Sequence, residues 1–425
     1  METIKLKEIR IENIKNIAFG QIDFVSQDNY LNTIGIYGQN GSGKTTLVEC
    51  LDIIDSLIES DLSNKSVKLS DSDKNGVINI IIEQIGIKTI SYSVEFKQVE
   101  DSFEIVKERI ANIINGIEDE IITYDREIPN YIKSKYHLGL SNDVLTIINK
   151  ISSKNKGSFL FNPNFLDAIK DIDVIMVYLY SLRNFSLNLK IYHNTYSSLI
   201  RNNHITLPFL LNNNHVFEAV IFDSDNYIPI KYKTEYEKII KHINYTINQL
   251  FPNLTIEIIE RDIRLGKDGL DEIRLELISN RDGKKFSIIH ESDGIKKIIT
   301  IITYLIYVYN NESAIVVVDE MDAHIYEYLL GELIEVICTG AKGQLIFTSH
   351  NLRVLEKLNY ENIVFTTNNK NNRFIKLKDI DSQSNLRDIY LRSIVVGNQD
   401  NTFYTGQGQG SIRLALIQAG EEDEW

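Results

Sequence analysis

Residues 38–45 read Gly38-Gln39-Asn40-Gly41-Ser42-Gly43-Lys44-Thr45, a complete G-x-x-x-x-G-K-[ST] phosphate loop. The apolar run 31–37, Leu-Asn-Thr-Ile-Gly-Ile-Tyr, precedes it as a short strand. Thr46, Leu47, Val48, Cys50 and Leu51 come after it at helical spacing. Strand, glycine-rich turn and helix N-terminus together make an anion cradle, which commits the chain to an α/β fold. Gly38, Gly41 and Gly43 let main-chain N–H groups turn inward. Gln39, Asn40 and Ser42 complete the loop, and Thr46 continues it into the helix. In such a loop Lys44 reaches the β- and γ-phosphates of a nucleoside triphosphate and the Thr45 hydroxyl ligates Mg²⁺.

Three further segments have the chemistry this loop requires. Residues 314–320, Ala-Ile-Val-Val-Val-Asp-Glu, form an apolar β-branched run ending in two acids. Such a run suits a parallel strand buried on both faces. Its carboxyl end is where α/β sheets hold ligands. There Asp319 would hold the metal through water, and Glu320 would polarise the attacking water. Residues 344–351, Gln-Leu-Ile-Phe-Thr-Ser-His-Asn, are a second short strand with His350 just past its end, placed to contact the γ-phosphate. Residues 291–297, Glu-Ser-Asp-Gly-Ile-Lys-Lys, open an apolar helix over 298–309. Ser292 suits an N-cap and Asp293 a first turn. The same helix N-terminus, with Gly294, suits a second phosphate contact.

The remaining chain divides into an N-terminal lobe (1–130) with the loop and a set of strands, a mainly helical insertion (131–235), and a C-terminal lobe with a tail (236–425). Strands are expected over 4–14, 18–25, 77–96 with a hairpin at Gly86, 103–106 and 121–124. Helical periodicity runs through 131–201, and a further helix covers 235–250. The 404–410 segment, Tyr-Thr-Gly-Gln-Gly-Gln-Gly, lacks a preceding strand and is expected as a link to a helix over 411–419. No apolar run reaches membrane-spanning length, and no secretory leader is evident at Met1. Cys50 and Cys338, the two cysteines, both fit apolar helical patterns and are expected as reduced core thiols. A cytoplasmic location is the matching expectation. The formal charge of −14 argues against broad nonspecific affinity for nucleic acid. His193, His204 and His215 match no metal-binding spacing.

The order of phosphate loop, long insertion, Ser-x-Gly helix, Asp-Glu strand and Ser-His strand resembles the ABC-type ATPase head, in its RecF, SMC and OLD-like branch. It is similar to AAA-type ATPases of bacterial abortive-infection anti-phage modules. The opening 6–16, Leu-Lys-Glu-Ile-Arg-Ile-Glu-Asn-Ile-Lys-Asn, looks like that branch's first strand. The resemblance covers 4–57 and about 242–366. It implies a P-loop NTPase fold with an antiparallel β subdomain, with ATP and Mg²⁺ as ligands. It further implies a head-to-head homodimer in which Ser292, Asp293 and Gly294 of one subunit cap ATP held by Lys44 and Thr45 of the other. Asp322 would then be the inter-subunit acid. The metal-loop glutamine stays open between Gln84 and Gln98. Neither a heptad arm nor a nuclease domain after 366 is expected. This favours an ATPase that controls a separate effector in defence. The alternative is a RecF-like ATPase acting on DNA, with Arg183, Lys190, Arg201, Lys296 and Lys297 as the available basic residues. A concealed nuclease and a transporter ATPase fit the motifs less well.

Lys44→Ala is expected to abolish ATP binding in an equilibrium titration. Unchanged affinity would remove the loop assignment.

Overall fold

The alternating apolar residues of 4–14 and the continuous apolar runs of 33–37 and 315–318 specify two different sheets, and both are present. The computed structural model describes residues 2–193 (except 28, 61, 63, 64, 101 and 129), 206–207, 220–221, 227–376, 386–388, 390 and 408–421. In chain order, β1 (Ile4–Ile14) and β2 (Ile17–Asp23) form a hairpin. Then come β3 (Thr33–Tyr37), α1 (Lys44–Ile58), β4 (Gly76–Gln84), β5 (Lys88–Val99), β6 (Ser102–Ile114), β7 (Ile117–Asp125) and β8 (Ile132–Ser134). These strands, apart from β3, make a seven-stranded antiparallel sheet in the order β8-β7-β6-β5-β4-β1-β2. Ile78, Ile80 and Ile82 of β4 are buried on one face, as period-two burial requires.

Helices α2 (Asn142–Lys154), α3 (Pro163–Ala168) and α4 (Asp173–Asn188) come next, and α4 runs directly into β9 (Leu189–Tyr192). The chain resumes with β10 (Tyr227–Pro229), α5 (Lys233–Leu250), β11 (Leu254–Leu265), β12 (Asp271–Arg281) and β13 (Lys284–Ser287). It continues through α6 (Asp293–Asn310), β14 (Ile315–Val318), α7 (Glu327–Gly340), β15 (Gln344–Ser349), α8 (Leu352–Leu355), β16 (Ile363–Thr366) and β17 (Phe374–Ile375). Helix α9 (Gly408–Glu421) closes the described chain. The second main sheet has the order β9-β14-β15-β3-β16-β17, parallel except at β17. Strands β10 to β13 form a small antiparallel sheet beside α5.

The parallel sheet separates two cores. Ile34, Ile36, Ile315 and Val317 join α1, α4 and the antiparallel sheet on one side. Val316, Val318, Leu345 and Phe347 join α5, α6 and α7 on the other. A strand buried on both faces carries no polar alternation, which is why 315–318 reads as Ile-Val-Val-Val. Gln344 ties the two sheets together. Its amide donates to the Leu6 carbonyl (2.9 Å), and its carbonyl accepts from the Leu6 N–H (2.8 Å), as a ladder partner would.

Three expectations need correction. The helical reading of 131–201 holds for α2 to α4, but 132–134 and 189–192 are strands, because their main chains pair with β7 and with the edge of β14. The last helix begins at Gly408, so Gly408, Gln409 and Gly410 belong to the helix and not to a link. Residues 404–407 lie outside the described chain. Cys50 is fully buried, whereas Cys338 is half-buried, and both are free thiols.

Glu108 on β6 is a fully buried carboxylate that anchors the segment before α3. It accepts from the Ser158 hydroxyl (2.6 Å), the Phe159 N–H (2.7 Å) and the Leu160 N–H (3.3 Å). Burial pushes its carboxyl up to about 7, against the lowering effect of these donors. The folded chain therefore keeps a proton that the unfolded chain releases near 4.5, so Glu108's contribution to stability falls as pH rises from about 4.5 to 7. Glu108→Gln is expected to flatten this part of the profile by about 3 kcal/mol, measured as the difference in unfolding free energy between pH 4.5 and pH 7.5.

Candidate functional site

The site is built on the carboxyl edge of the parallel sheet. β3 delivers the phosphate loop, and α1 starts at Lys44. The cap position is Gly43 (φ 101°), which offers no side-chain acceptor, and no acid lies in the first turn. The first N–H groups of α1 are thus left for an anion. Gly38 packs so tightly that a Cβ there would stand 1.7 Å from the Thr366 hydroxyl. The loop is held from outside as well as by its own bonds. Ser42 donates to the Gln39 carbonyl (2.6 Å) and also meets Thr366. Gln39 donates to Asn368. Asn16, in the β1–β2 turn, donates to the Gly41 carbonyl and accepts from Thr46 (3.1 Å). Buried Arg373 in turn donates to the Asn16 carbonyl.

Lys44 is buried and lies along the loop, donating to the carbonyls of Gly38 (2.8 Å) and Gln39 (3.0 Å). Burial lowers its pKa, while the carboxylates of Asp319, Asp322 and Glu320 counteract that shift. Asn40 and Gly41 are exposed at the tip of the loop.

Asp319, at the end of β14, is buried. It accepts from Thr348 (2.6 Å), and its Oδ1 lies 3.5 Å from the Thr45 hydroxyl. Its N–H donates to the Tyr192 carbonyl at the end of β9 (2.9 Å). Thr348 also accepts from the Glu320 N–H (2.7 Å). One hydroxyl therefore fixes both members of the Asp-Glu pair. Glu320 is exposed and adopts a left-handed main chain (φ 47°). His350 donates its N–H to Asp322 (3.1 Å). Partial burial and then the charge of Lys44 lower the imidazole's pKa, against the pull of Asp322, Glu320 and Asp319. The ring is accordingly neutral at pH 7.

Thr45 and Asp319 supply two hard oxygens on one side of the loop, a donor set that suits Mg²⁺. Among the described residues no group of three or more His, Cys, Asp or Glu could hold an ion. Any ion beside Thr45 and Asp319 would draw its other ligands from phosphate oxygens and water.

Ser292 caps α6, its hydroxyl accepting from the Ile295 N–H at 3.4 Å. Asp293 pairs with Lys296 (2.9 Å). Ser292 and Asp293 are both exposed, Gly294 is half-buried, and a Cβ on Gly294 would stand 2.4 Å from the His324 carbonyl. Asp293 is exposed, so the Ser-Asp-Gly turn reaches solvent beside the segment after Glu320.

Neither glutamine candidate faces the loop. Gln84 is buried at the end of β4 that pairs with Ile4, and it accepts from Ser181. Gln98 closes its own hairpin on the carbonyls of Glu100 and Ser102. His193 pairs with Asp52 (3.2 Å), whereas His204, His215 and Arg201 lie outside the described residues. Of the basic residues, Lys297 is buried and donates to the Glu320 carbonyl. Lys190 is largely buried near Asp55 and Glu59. The residues missed in the sequence are Asn16, Thr348, Thr366, Asn368, Arg373 and the role of Lys297. They act through contacts distant in sequence, and Asn16, Lys297 and Thr348 sat within segments already singled out, without these roles.

A phosphate loop on a parallel sheet, an Asp-Glu strand two positions away and an antiparallel sheet packed against α1 define a P-loop ATPase with an ABC-type head. The chain belongs to the family described as "AAA domain, putative AbiEii toxin, Type IV TA system", whose profile matches residues 34–356. Among solved structures it is similar to the SMC head bound to the C-terminal winged-helix domain of ScpA, at 12% identity over 88% of this chain and 98% of that one, with a TM-score of 0.48. It is also similar to the SMC head domain from Thermotoga maritima (13% identity, 88% and 100% covered, TM-score 0.41). A third similar structure is the ATP complex of the recombination mediator RecF (13% identity, 89% and 100% covered, TM-score 0.40). No curated protein matches the chain significantly in sequence.

Asn16→Ala is expected to loosen the loop at Gly41 and weaken triphosphate binding about tenfold, the effect of roughly 1.4 kcal/mol from a lost hydrogen bond. Isothermal titration measures it.

Proposed function

We propose that the protein hydrolyses ATP at this edge and uses the cycle to close and open a head-to-head homodimer. The observation that carries the reading is the bonded run from Thr45 through Asp319 and Thr348 to Glu320. It joins the metal-ligating hydroxyl of the phosphate loop to the second acid of the Asp-Glu strand. In this reading the loop N–H groups from Gly38 to Gly43, with Lys44, Thr45 and Thr46, hold the triphosphate. Thr45 and Asp319 would hold Mg²⁺, which when bound neutralises charge on the β- and γ-phosphates. Glu320 accepts a proton from water as the water oxygen bonds to the γ-phosphorus and the bond to the β-phosphate oxygen breaks, leaving ADP and phosphate. Neutral His350 contacts the γ-phosphate.

The Ser292–Asp293–Gly294 turn suits the triphosphate of a second copy, with Asp322 as the acid facing that copy. The family's description as a type IV toxin–antitoxin AAA domain supports a role in defence. There the ATPase would act as a nucleotide-driven sensor or scaffold for a separate effector protein. No helix among the described residues is long and apolar enough to cross a membrane. We place the protein in the cytoplasm.

Two variants test the cycle. Glu320→Gln should bind ATP, lose at least about a hundredfold in turnover and accumulate as a dimer in size-exclusion chromatography with ATP. Wild-type turnover would remove Glu320 from its role. Ser292→Arg should keep ATP affinity in the monomer but lose ATP-dependent dimerisation and turnover together. Normal activity in this variant would refute the sandwich.

A further inference from the structure

Burying a lysine ammonium is costly, and the chain buries one beside its Asp-Glu pair. Lys297 lies one turn into α6 and is 6% exposed. Its Nζ donates to the Glu320 carbonyl at 2.5 Å. That carbonyl also accepts from the Ala323 N–H (3.1 Å). On its other side, Glu320 donates its N–H to Thr348. The left-handed main chain of Glu320, uncommon for a residue with a Cβ, is therefore clamped at both its N–H and its C=O. The same helix touches the same segment a second time, at Gly294 against the His324 carbonyl, and His324 is also left-handed (φ 64°). α6 and the turn 320–324 thus interlock at two points.

A lysine kept only for packing would be replaceable here by an apolar side chain. Instead its charge faces Asp322, Glu320 and Asp319, while burial lowers its pKa to about 8. It also stands three residues after Gly294, on the helix that Ser292 caps.

We infer that Lys297 is a positioning residue for ATP hydrolysis, whose hydrogen bond to the Glu320 carbonyl makes the placement of that carboxylate depend on the helix beginning at Ser292. This rests on the reading of Glu320 as the group that takes the proton from water. The consequence is a mechanical link between the two composite sites of a dimer. A partner's triphosphate bound on Ser292 and Gly294 presses on α6, and α6 holds Glu320 at its own subunit's triphosphate. Each subunit then hydrolyses fully only when its neighbour is loaded.

The experiment uses the full-length chain with Mg²⁺ and ATP. It compares wild type, Lys297→Met, Lys297→Arg and Glu320→Gln for kcat per folded site, affinity for a non-hydrolysable ATP analogue, and thermal midpoint. Lys297→Met should lower kcat between about ten- and a hundredfold, because small misplacement of a catalytic group has effects of that size. Analogue affinity should stay within about twofold of wild type. Lys297→Arg, which restores a cationic donor, should recover part of the lost kcat. If Lys297→Met keeps the wild-type kcat while Glu320→Gln is inactive, the inference is overturned and the role of Glu320 stands. If Glu320→Gln turns over normally, the parent reading fails instead. Should Lys297→Met not fold, Lys297→Gln takes its place. A fall in thermal midpoint and in analogue affinity, with kcat per folded site unchanged, would mark Lys297 as structural only and overturn the proposal.

Discussion

Because β14, β15 and β3 run parallel and side by side with both faces buried, their carboxyl ends meet on one edge, and the site is assembled from residues at or just past those ends. β3 contributes the phosphate loop, β14 contributes Asp319 and Glu320, and β15 contributes Thr348 within the strand and His350 after it. No long-range folding event has to bring these groups together beyond the pairing of the strands. The register does it: Val318 pairs with Phe347, so Asp319 falls level with Thr348, the residue that bonds to it.

That register explains what the sequence made legible. The loop at 38–45, the acids at 319–320 and the Ser-His at 349–350 are each written in a short window, because each is a strand end with its own local chemistry. The apolar runs that lead to them reflect burial on two faces. Two kinds of feature were not legible. The first is the strand 189–192, whose residues Leu, Lys, Ile and Tyr continue the apolar pattern of α4. Only the open edge of β14 selects a strand there, and the selection is a property of the partner strand. The second is the ring of polar residues around the loop. Asn16, Thr366, Asn368 and Arg373 act across about twenty to about 360 positions of chain, and asparagine in a turn has many local uses.

The Ser-Asp-Gly turn shows how a capping motif and a binding motif can share residues. As an N-cap, Ser292 needs only the Ile295 N–H, and that bond is present. Capping alone would not require glycine at 294, yet the helix approaches His324 too closely for any side chain there. The glycine therefore reflects the docking of α6 onto the turn after Glu320, and Ser292 is carried along with it. The two lysines of the next turn differ in kind. Lys296 pairs with Asp293 of its own helix, while Lys297 turns inward to the Glu320 carbonyl.

β1 is fastened near both ends to the nucleotide half of the molecule. Near its start, Leu6 is locked to the Gln344 amide at the base of β15. Just past its far end, Asn16 grips the Gly41 carbonyl of the phosphate loop. Eleven residues of strand span about 35 Å, and the sheet of which it is a member stiffens it further. The strand thus works as a strut pinned at two joints, so the antiparallel sheet cannot swing on the parallel one without breaking a joint. Whatever docks on the outer rim of that sheet bears on a frame whose other pin is the phosphate loop itself.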